Sequence, residues 1–391
     1  MPESVPQQGA VRRVRGGRRV VLGGSMTNVA EENLGRLRER TAVSASGTTG
    51  SAAARESIDI ALHHRLKPLT VRVTGRRGVG KSAILALLES IPLDADGLDV
   101  RSREDSGTDG GDRTQSGESE GNVLVYVFAG AVSPVDSAFL SSRPSDSAGS
   151  GGTSDGVVVV LTKADTLDDP QAAASAASEQ LGRTVLPVMG TTAVGLRGIG
   201  RSGAPLVMAD VRAVAATDLG PADLLTVDRF HAADIALSTR RREALVDCIE
   251  LRGLALLVGA LRRRPAASDR ELERVLADAS GADALIAAVS AAVSTATATR
   301  DADLHRSLQQ ISARHRHVRS AVESYLASDE AVAAEMRCAA LQLGVPIETG
   351  TERDTAEQAV LWKQRAAAAE DLHVRRSALA LCRGYVRMLG R

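Results

Sequence analysis

Leu69-Thr70-Val71-Arg72-Val73, then Gly75-Arg76-Arg77-Gly78-Val79-Gly80-Lys81-Ser82, then Ala83-Ile84-Leu85-Ala86-Leu87-Leu88 is the stretch on which the reading of this chain turns. The first five residues alternate with β-branched side chains, as a strand does. The last six open like an amphipathic helix. Between them, every fixed position of the phosphate-binding pattern G-x-x-x-x-G-K-[ST] is filled. Glycines allow consecutive backbone N–H groups to turn toward a phosphate, and the helix N-terminus adds positive potential. The expected phosphate-binding set is Gly75, Arg76, Arg77, Gly78, Val79, Gly80, Lys81, Ser82 and Ala83. Lys81 is expected to reach the β- and γ-phosphates and Ser82 to bind Mg²⁺, which makes these two the candidate catalytic pair. Arg77 is a third candidate: its guanidinium either swings over the γ-phosphate or points to solvent.

A second motif bears on the base. Gly156-Val157-Val158-Val159-Val160-Leu161 is a continuous apolar run, as in a strand buried on both faces of a parallel sheet. It delivers Thr162-Lys163-Ala164-Asp165 at its C-terminal end, where ligands bind in open α/β sheets. This tetrapeptide resembles the [NT]-K-x-D guanine-recognition motif of the Ras-like GTPases. The resemblance implies that Asp165 accepts hydrogen bonds from the guanine ring, that the Lys163 stem lies over the base, and that Thr162 ties the motif to the phosphate loop. A helical stretch from Asp168 to Leu181 follows, then an apolar strand, Thr184-Val185-Leu186-Pro187-Val188. The next residues, Met189 and Gly190, stand where the last GTPase loop carries Ser-Ala and contacts the guanine oxygen through backbone N–H groups.

The pattern breaks between these motifs. A GTPase needs a switch Thr and a D-x-x-G before the central strand, which here is Asn122 to Phe128. The intervening segment, from Arg103 to Gly121, is mostly Asp, Ser and Gly and reads as a solvated loop. The one D-x-x-G between the phosphate-loop helix and the central strand, Asp94 to Gly97, precedes the strand expected over Leu98–Arg103 instead of following it. Thr108, Asp109, Asp112 and Thr114 could each supply a metal contact, and no spacing selects among them. Nucleotide binding is therefore better supported than hydrolysis.

Composition narrows the remaining classes. A chain of 391 residues suggests two domains, or one with a large helical appendage. Lys+Arg and Asp+Glu number 48 each, which gives no global attraction to nucleic acid or anionic lipid. Aromatics make up 2% of residues, so base-stacking nucleic-acid binding is not expected and the core must be built from Ala, Leu and Val. Cys248, Cys338 and Cys382 are far apart and fit reduced thiols in a cytoplasm. Neither a signal peptide nor an apolar run of about 18 residues is present, so neither secretion nor a membrane span is expected. His305, His315 and His317 lack a Glu or Cys partner at ligand spacing and read as surface or packing residues.

The organisation expected is a disordered basic leader and linker over 1–52, an α/β domain over 53–204, and an all-α helical bundle over 205–391. Within the first part, Arg12 to Arg19 form the basic cluster, and helical stretches are expected over Thr27–Arg40 and from Ala54. A Ser/Gly/Asp-rich insertion spans 142–155. Beyond Pro205, helix starts are signalled at Pro221-Ala222-Asp223, by the capping box Ser268-Asp269-Arg270-Glu271 and at Ser328-Asp329-Glu330, and a stop at Gly344. Helices are expected over Glu250–Arg263 and Asp354–Leu389. The apolar block Leu254 to Leu261, bounded by Arg252 and Arg262-Arg263-Arg264, reads either as a buried bundle helix or as an interfacial membrane helix.

The order of helix, phosphate-loop domain and long helical tail resembles the bacterial dynamin-like GTPases, most nearly the actinobacterial isoniazid-inducible type. Arg252-Gly253-Leu254 through Arg262 and Ser280-Gly281-Ala282-Asp283-Ala284-Leu285 are similar to the tail of that group. The resemblance implies GTP and Mg²⁺ as ligands, homo- or hetero-association with another dynamin-like GTPase, and a cytoplasmic protein that touches the inner face of the membrane peripherally. Three function classes stay open: a slow GTPase, a non-hydrolysing partner of another GTPase, and a P-loop ATPase.

Overall fold

Stretches dominated by Val and Leu, buried on both faces, pair here as parallel strands, as such runs must when helices cover both sides of a sheet. The computed structural model describes residues 34–41, 49–91, 100–104, 123–142, 156–199 and 205–390. The basic leader, the core of the linker near 43–48, the segment with Asp94, Gly97, Thr108, Asp109, Asp112 and Thr114, and most of the 142–155 insertion lie outside them. The strands are β1 (Leu69–Gly75), β2 (Val100–Glu104), β3 (Val123–Ala129), β4 (Val157–Thr162) and β5 (Val185–Val188). They form one sheet in the order β2-β1-β3-β4-β5, every pair parallel. The chain moves outward in both directions from β1 and β3, which creates a switch point at their carboxyl ends.

Helices α1 (34–41) and α2 (Thr49–Leu66) precede β1; α3 (Lys81–Glu89), α4 (Pro134–Ser141), α5 (Pro170–Leu181) and α6 (Gly190–Gly195) alternate with the strands. Helix α2 begins ahead of the expected Ala54. One sheet face, with Leu124, Tyr126, Phe128, Val159 and Leu161, packs on Leu140 of α4 and on Ala174 and Ala177 of α5. The opposite face, with Val71, Val73, Val125, Val127 and Val160, packs on Ile84 and Leu87 of α3.

From residue 205 the chain is helical: α7 (Met208–Ala215), α8 (Val227–Ala232), α9 (Thr239–Arg263), α10 (Asp269–Ser280), α11 (Ala282–Arg314), α12 (Arg319–Leu326), α13 (Asp329–Leu343), α14 (Glu352–Ala368) and α15 (Leu372–Leu389). The molecule is thus an α/β unit with a helical region. The expected division at 204/205 falls between β5 and α7, but the hydrophobic core crosses it. Leu285, Val289, Ala292 and Val293 of α11 are fully buried on the sheet beside α3. The sheet face is closed by a helix that arrives only after α7–α10, which gather in a separate apolar cluster around Leu254, Leu257 and Leu276. At 33 residues α11 spans about 50 Å. Its far half packs Leu304, Leu308 and Ile311 against Ile58 and Leu62 of α2.

Several local signals act as read. Ser268 and Glu271 form the capping box of α10, Ser328 caps α13, and Gly344 ends α13 in the left-handed region. Pro221 opens only a single 3₁₀ turn, Pro221–Leu224. The continuous helix expected over Asp354–Leu389 is instead a hairpin. The Asp371 carboxylate accepts from the backbone N–H groups of His373 and Val374, which restarts the helix and folds Leu381 and Tyr385 back onto Trp362. The Leu254–Leu261 block is core: Leu254, Leu257, Val258 and Leu261 are all buried. Among the described residues α11 alone is long and apolar enough to cross a membrane by length and composition. The three cysteines are free, with Cys248 and Cys338 buried.

Candidate functional site

The C-terminal ends of β1, β3, β4 and β5 come to one edge of the sheet, and the residues singled out in the sequence collect there. Gly75 pairs with Val127, Ala129 with Thr162, and Thr162 with Val188. At Gly75 the chain leaves β1 with φ 149°, and a Cβ there would stand 2.0 Å from the Val127 carbonyl oxygen. Only glycine fits. The loop turns through Gly78 and Gly80, and Gly80 caps α3 from a left-handed conformation. Lys81, 8% exposed, folds back so that Nζ donates to the carbonyls of Gly75 and Arg76, each at 3.1 Å. Its ammonium is thereby held across the mouth of the loop. Ser82 is exposed on the first turn of α3, beside Ala83.

The two loop arginines part company. Arg77 is exposed and engages no described partner. Arg76 reaches back to Asp136, the fully buried carboxylate in the first turn of α4, with its guanidinium 3.3 Å from both carboxylate oxygens. Asp136 also accepts from the Tyr126 hydroxyl at 2.7 Å and from the Ser133 N–H and hydroxyl at 2.9 and 2.8 Å. Burial works to raise its pKa; the bonds from Ser133 and Tyr126 and the Arg76 charge outweigh that and hold the carboxyl below its ordinary value. Burial, then the bond to Asp136, pushes the Tyr126 hydroxyl up, so it stays a donor.

A lowered folded-state pKa means that Asp136 stabilises the fold fully above the unfolded value of about 4 and loses that contribution as pH falls through the folded one. Asp136→Asn should therefore be less stable than the parent at neutral pH, with the gap closing as pH drops below about 4. Urea unfolding across that range checks this; a gap that stays constant would remove Asp136 as the group responsible.

Across the switch point, Thr162 is buried, and its hydroxyl lies within hydrogen-bonding reach of the Val79 and Phe128 carbonyls, the latter at 2.9 Å. With one proton it donates to one of them at a time. It joins the 75–82 loop to β4. Lys163 follows with φ 54°, one of two non-glycine residues with positive φ among those described. Such strain persists only where the surroundings impose it. The 3₁₀ turn Ala164–Thr166 comes next, with Lys163 exposed and Asp165 half-buried. Asp165 has no hydrogen bond or ion pair among the described residues.

Met189 and Gly190 begin α6 at the same edge. The Met189 N–H is already bonded to the Ser280 carbonyl at 2.9 Å, so this donor is committed to the end of α10. Gly190 abuts Ala83, where a Cβ would come 3.1 Å from the Ala83 Cβ.

Two features escape sequence reading. Arg76 and Asp136 meet over a separation of 60 residues, and the only local signal was the Ser133-x-x-Asp136 capping pattern. The strand beside β1, β2, ends on Glu104, one residue beyond the expected end. Among the described residues no group of three or more His, Cys, Asp or Glu converges as a metal cage, and His315 and His317 only pack edge to edge. A concavity of 660 Å³ lies between α1 and α2, lined by Arg38, Arg55, Asp59 and His63, away from this edge. The 75–82 loop forms the rim of this edge between β1 and α3.

No protein-family model, no curated protein and no solved structure matches this chain.

Proposed function

We propose that the chain is a GTP-binding protein of the P-loop type, a slow GTPase whose nucleotide state rearranges the helical region. The observation that carries the reading is the meeting of Gly75–Ser82 and Thr162–Asp165 at one sheet edge, joined through the Thr162 hydroxyl and the Val79 carbonyl. The strand order alone serves many doubly wound sheets, so the loop sequence and the half-buried, uncommitted Asp165 give the reading its direction.

In this reading Lys81 Nζ exchanges the Gly75 and Arg76 carbonyls for the β- and γ-phosphate oxygens, and the exposed Ser82 hydroxyl takes a place on Mg²⁺. Arg76, anchored on Asp136, stiffens the loop from outside. Arg77, exposed, is available to solvent or to the γ-phosphate. Asp165 reads the guanine and the Lys163 stem covers it. Self-association, pairing with a second dynamin-like GTPase and peripheral contact with the inner membrane face belong to the same proposal. A non-hydrolysing nucleotide-binding partner is the second reading: Glu104-Asp105-Ser106-Gly107, where β2 ends, offers no D-x-x-G.

Equilibrium binding of labelled GTP and ATP, followed by phosphate release, separates these readings from an ATPase. Asp165→Asn turns one acceptor into a donor facing guanine N–H groups. Loss of a charged hydrogen bond costs about 1.5–3 kcal/mol, so GTP affinity should fall roughly tenfold or more while ATP affinity does not change. Equal losses for both nucleotides would remove Thr162–Asp165 as the base reader.

A further inference from the structure

We propose that Arg252 of α9 is a positioning residue for Asp165, so that the helical region sets guanine affinity. The inference rests on the nucleotide reading above and adds to it the means by which α9 controls that site.

Arg252 is half-buried, and its two terminal guanidinium nitrogens donate to successive carbonyls, Leu167 at 3.0 Å and Asp168 at 3.2 Å. A planar fork is matched to two neighbouring acceptors in a way that an ammonium is not. These carbonyls close the turn that carries Lys163 and Asp165. Its other end is fixed by the buried Thr162. Among the described residues, the bonds between the two anchors are the turn's own short ones, from Thr166 and Leu167 back to Lys163 and Ala164. The left-handed Lys163 is therefore held from both ends, and one of those ends belongs to a helix 85 residues away.

The aim of Arg252 is itself built. Helix α9 is interrupted at Glu250, whose φ of 56° and ψ of 171° are not helical. At the interruption the Ile249 carbonyl accepts from the Thr192 hydroxyl of α6 at 3.0 Å. Two residues later Arg252 points at the turn. A second seam lies alongside: Gly281, between α10 and α11, passes so close to β5 that a Cβ would meet the Pro187 oxygen at 2.1 Å. With the Ser280–Met189 bond, both base-side segments, 162–168 and 187–192, are fastened to the helical region and not to the rest of the sheet alone. A shift of α9 would be transmitted to Asp165 through Arg252.

Hydrogen exchange of the nucleotide-free, full-length protein tests the clamp, and fluorescent GTP binding tests its consequence. In Arg252→Ala, amides of 163–169 should exchange about tenfold faster with the sheet strands unchanged, and GTP should bind about tenfold more weakly, the equivalent of one charged hydrogen bond. Arg252→Lys keeps the aliphatic stem and one donor, so both readouts should fall between parent and Arg252→Ala; it also serves if the alanine variant does not fold. Unchanged exchange over 163–169 overturns the proposal whatever the affinity. Faster exchange with undiminished GTP affinity overturns it too, because the turn would then be held without being positioned for the base. If the parent binds no GTP while the exchange arm behaves as expected, the nucleotide reading is what has failed, and the positioning role falls with it.

Discussion

Lys81→Ala should abolish measurable GTP binding while leaving the fold intact. The Lys81 side chain is 8% exposed and its ammonium rests on two loop carbonyls, a position from which it can turn to phosphate oxygens without leaving the rim. Two charge-assisted bonds at about 1.5–3 kcal/mol each correspond to a loss of at least roughly a hundredfold. The backbone geometry does not depend on this side chain. Gly75 is fixed by its contact with Val127, and Ile84, Leu87 and Leu88 anchor α3 to the sheet. Circular dichroism and thermal unfolding should therefore change little as binding vanishes. Affinity within about twofold of the parent would refute the phosphate-loop assignment, since the lysine of that loop is the cation expected on the β- and γ-phosphates and Arg76 is engaged with Asp136.

Asp301→Ala should be the most destabilising single change considered for the helical region. Asp301 on α11 pairs with Arg65 at the end of α2, and both side chains are 7% exposed; Arg337 of α13 stands 3.9 Å from the other carboxylate oxygen. Three helices meet on this one carboxylate. Burying an ion pair gains little over an apolar pair, but removing one partner strands the other charge, at a cost of about 3–5 kcal/mol. That is a large share of a typical domain stability of about 5–15 kcal/mol. Replacing both partners by apolar residues, Arg65→Met with Asp301→Leu, should restore most of the loss. Urea unfolding of the parent and the two variants measures this. A loss below about 1 kcal/mol for Asp301→Ala would mean that solvent reaches the pair and that other contacts hold α2 on α11. Because α2 runs directly into β1, its docking also fixes where the first strand, and hence Gly75, begins.

The sequence alone determined the local pieces of this protein, because each is governed by short-range physics. The glycines and lysine of 75–82 lie between an alternating strand and an amphipathic helix; the uninterrupted valines of β4 require burial on both faces; Ser268, Ser328 and Gly344 satisfy helix ends within a turn of themselves. Thr162 to Asp165 was legible for the same reason, as four residues at the end of a strand. The tertiary structure alone decided what these pieces are attached to. An Ala-rich helix such as α11 has a face equally fit for another helix or for a valine sheet, and nothing in its own residues says that it lies beside α3 after a detour through α7–α10. Asp371 divides the last helix because the hairpin buries Trp362, Leu381 and Tyr385 together, a gain that no window of sequence contains. Arg76 meets Asp136, Arg252 meets Leu167 and Asp168, and Ser280 takes the Met189 N–H across separations that periodicity cannot span. A long polar side chain carries no local mark of its partner, because a guanidinium is satisfied by whichever carboxylate or carbonyl the packing of apolar faces brings within reach.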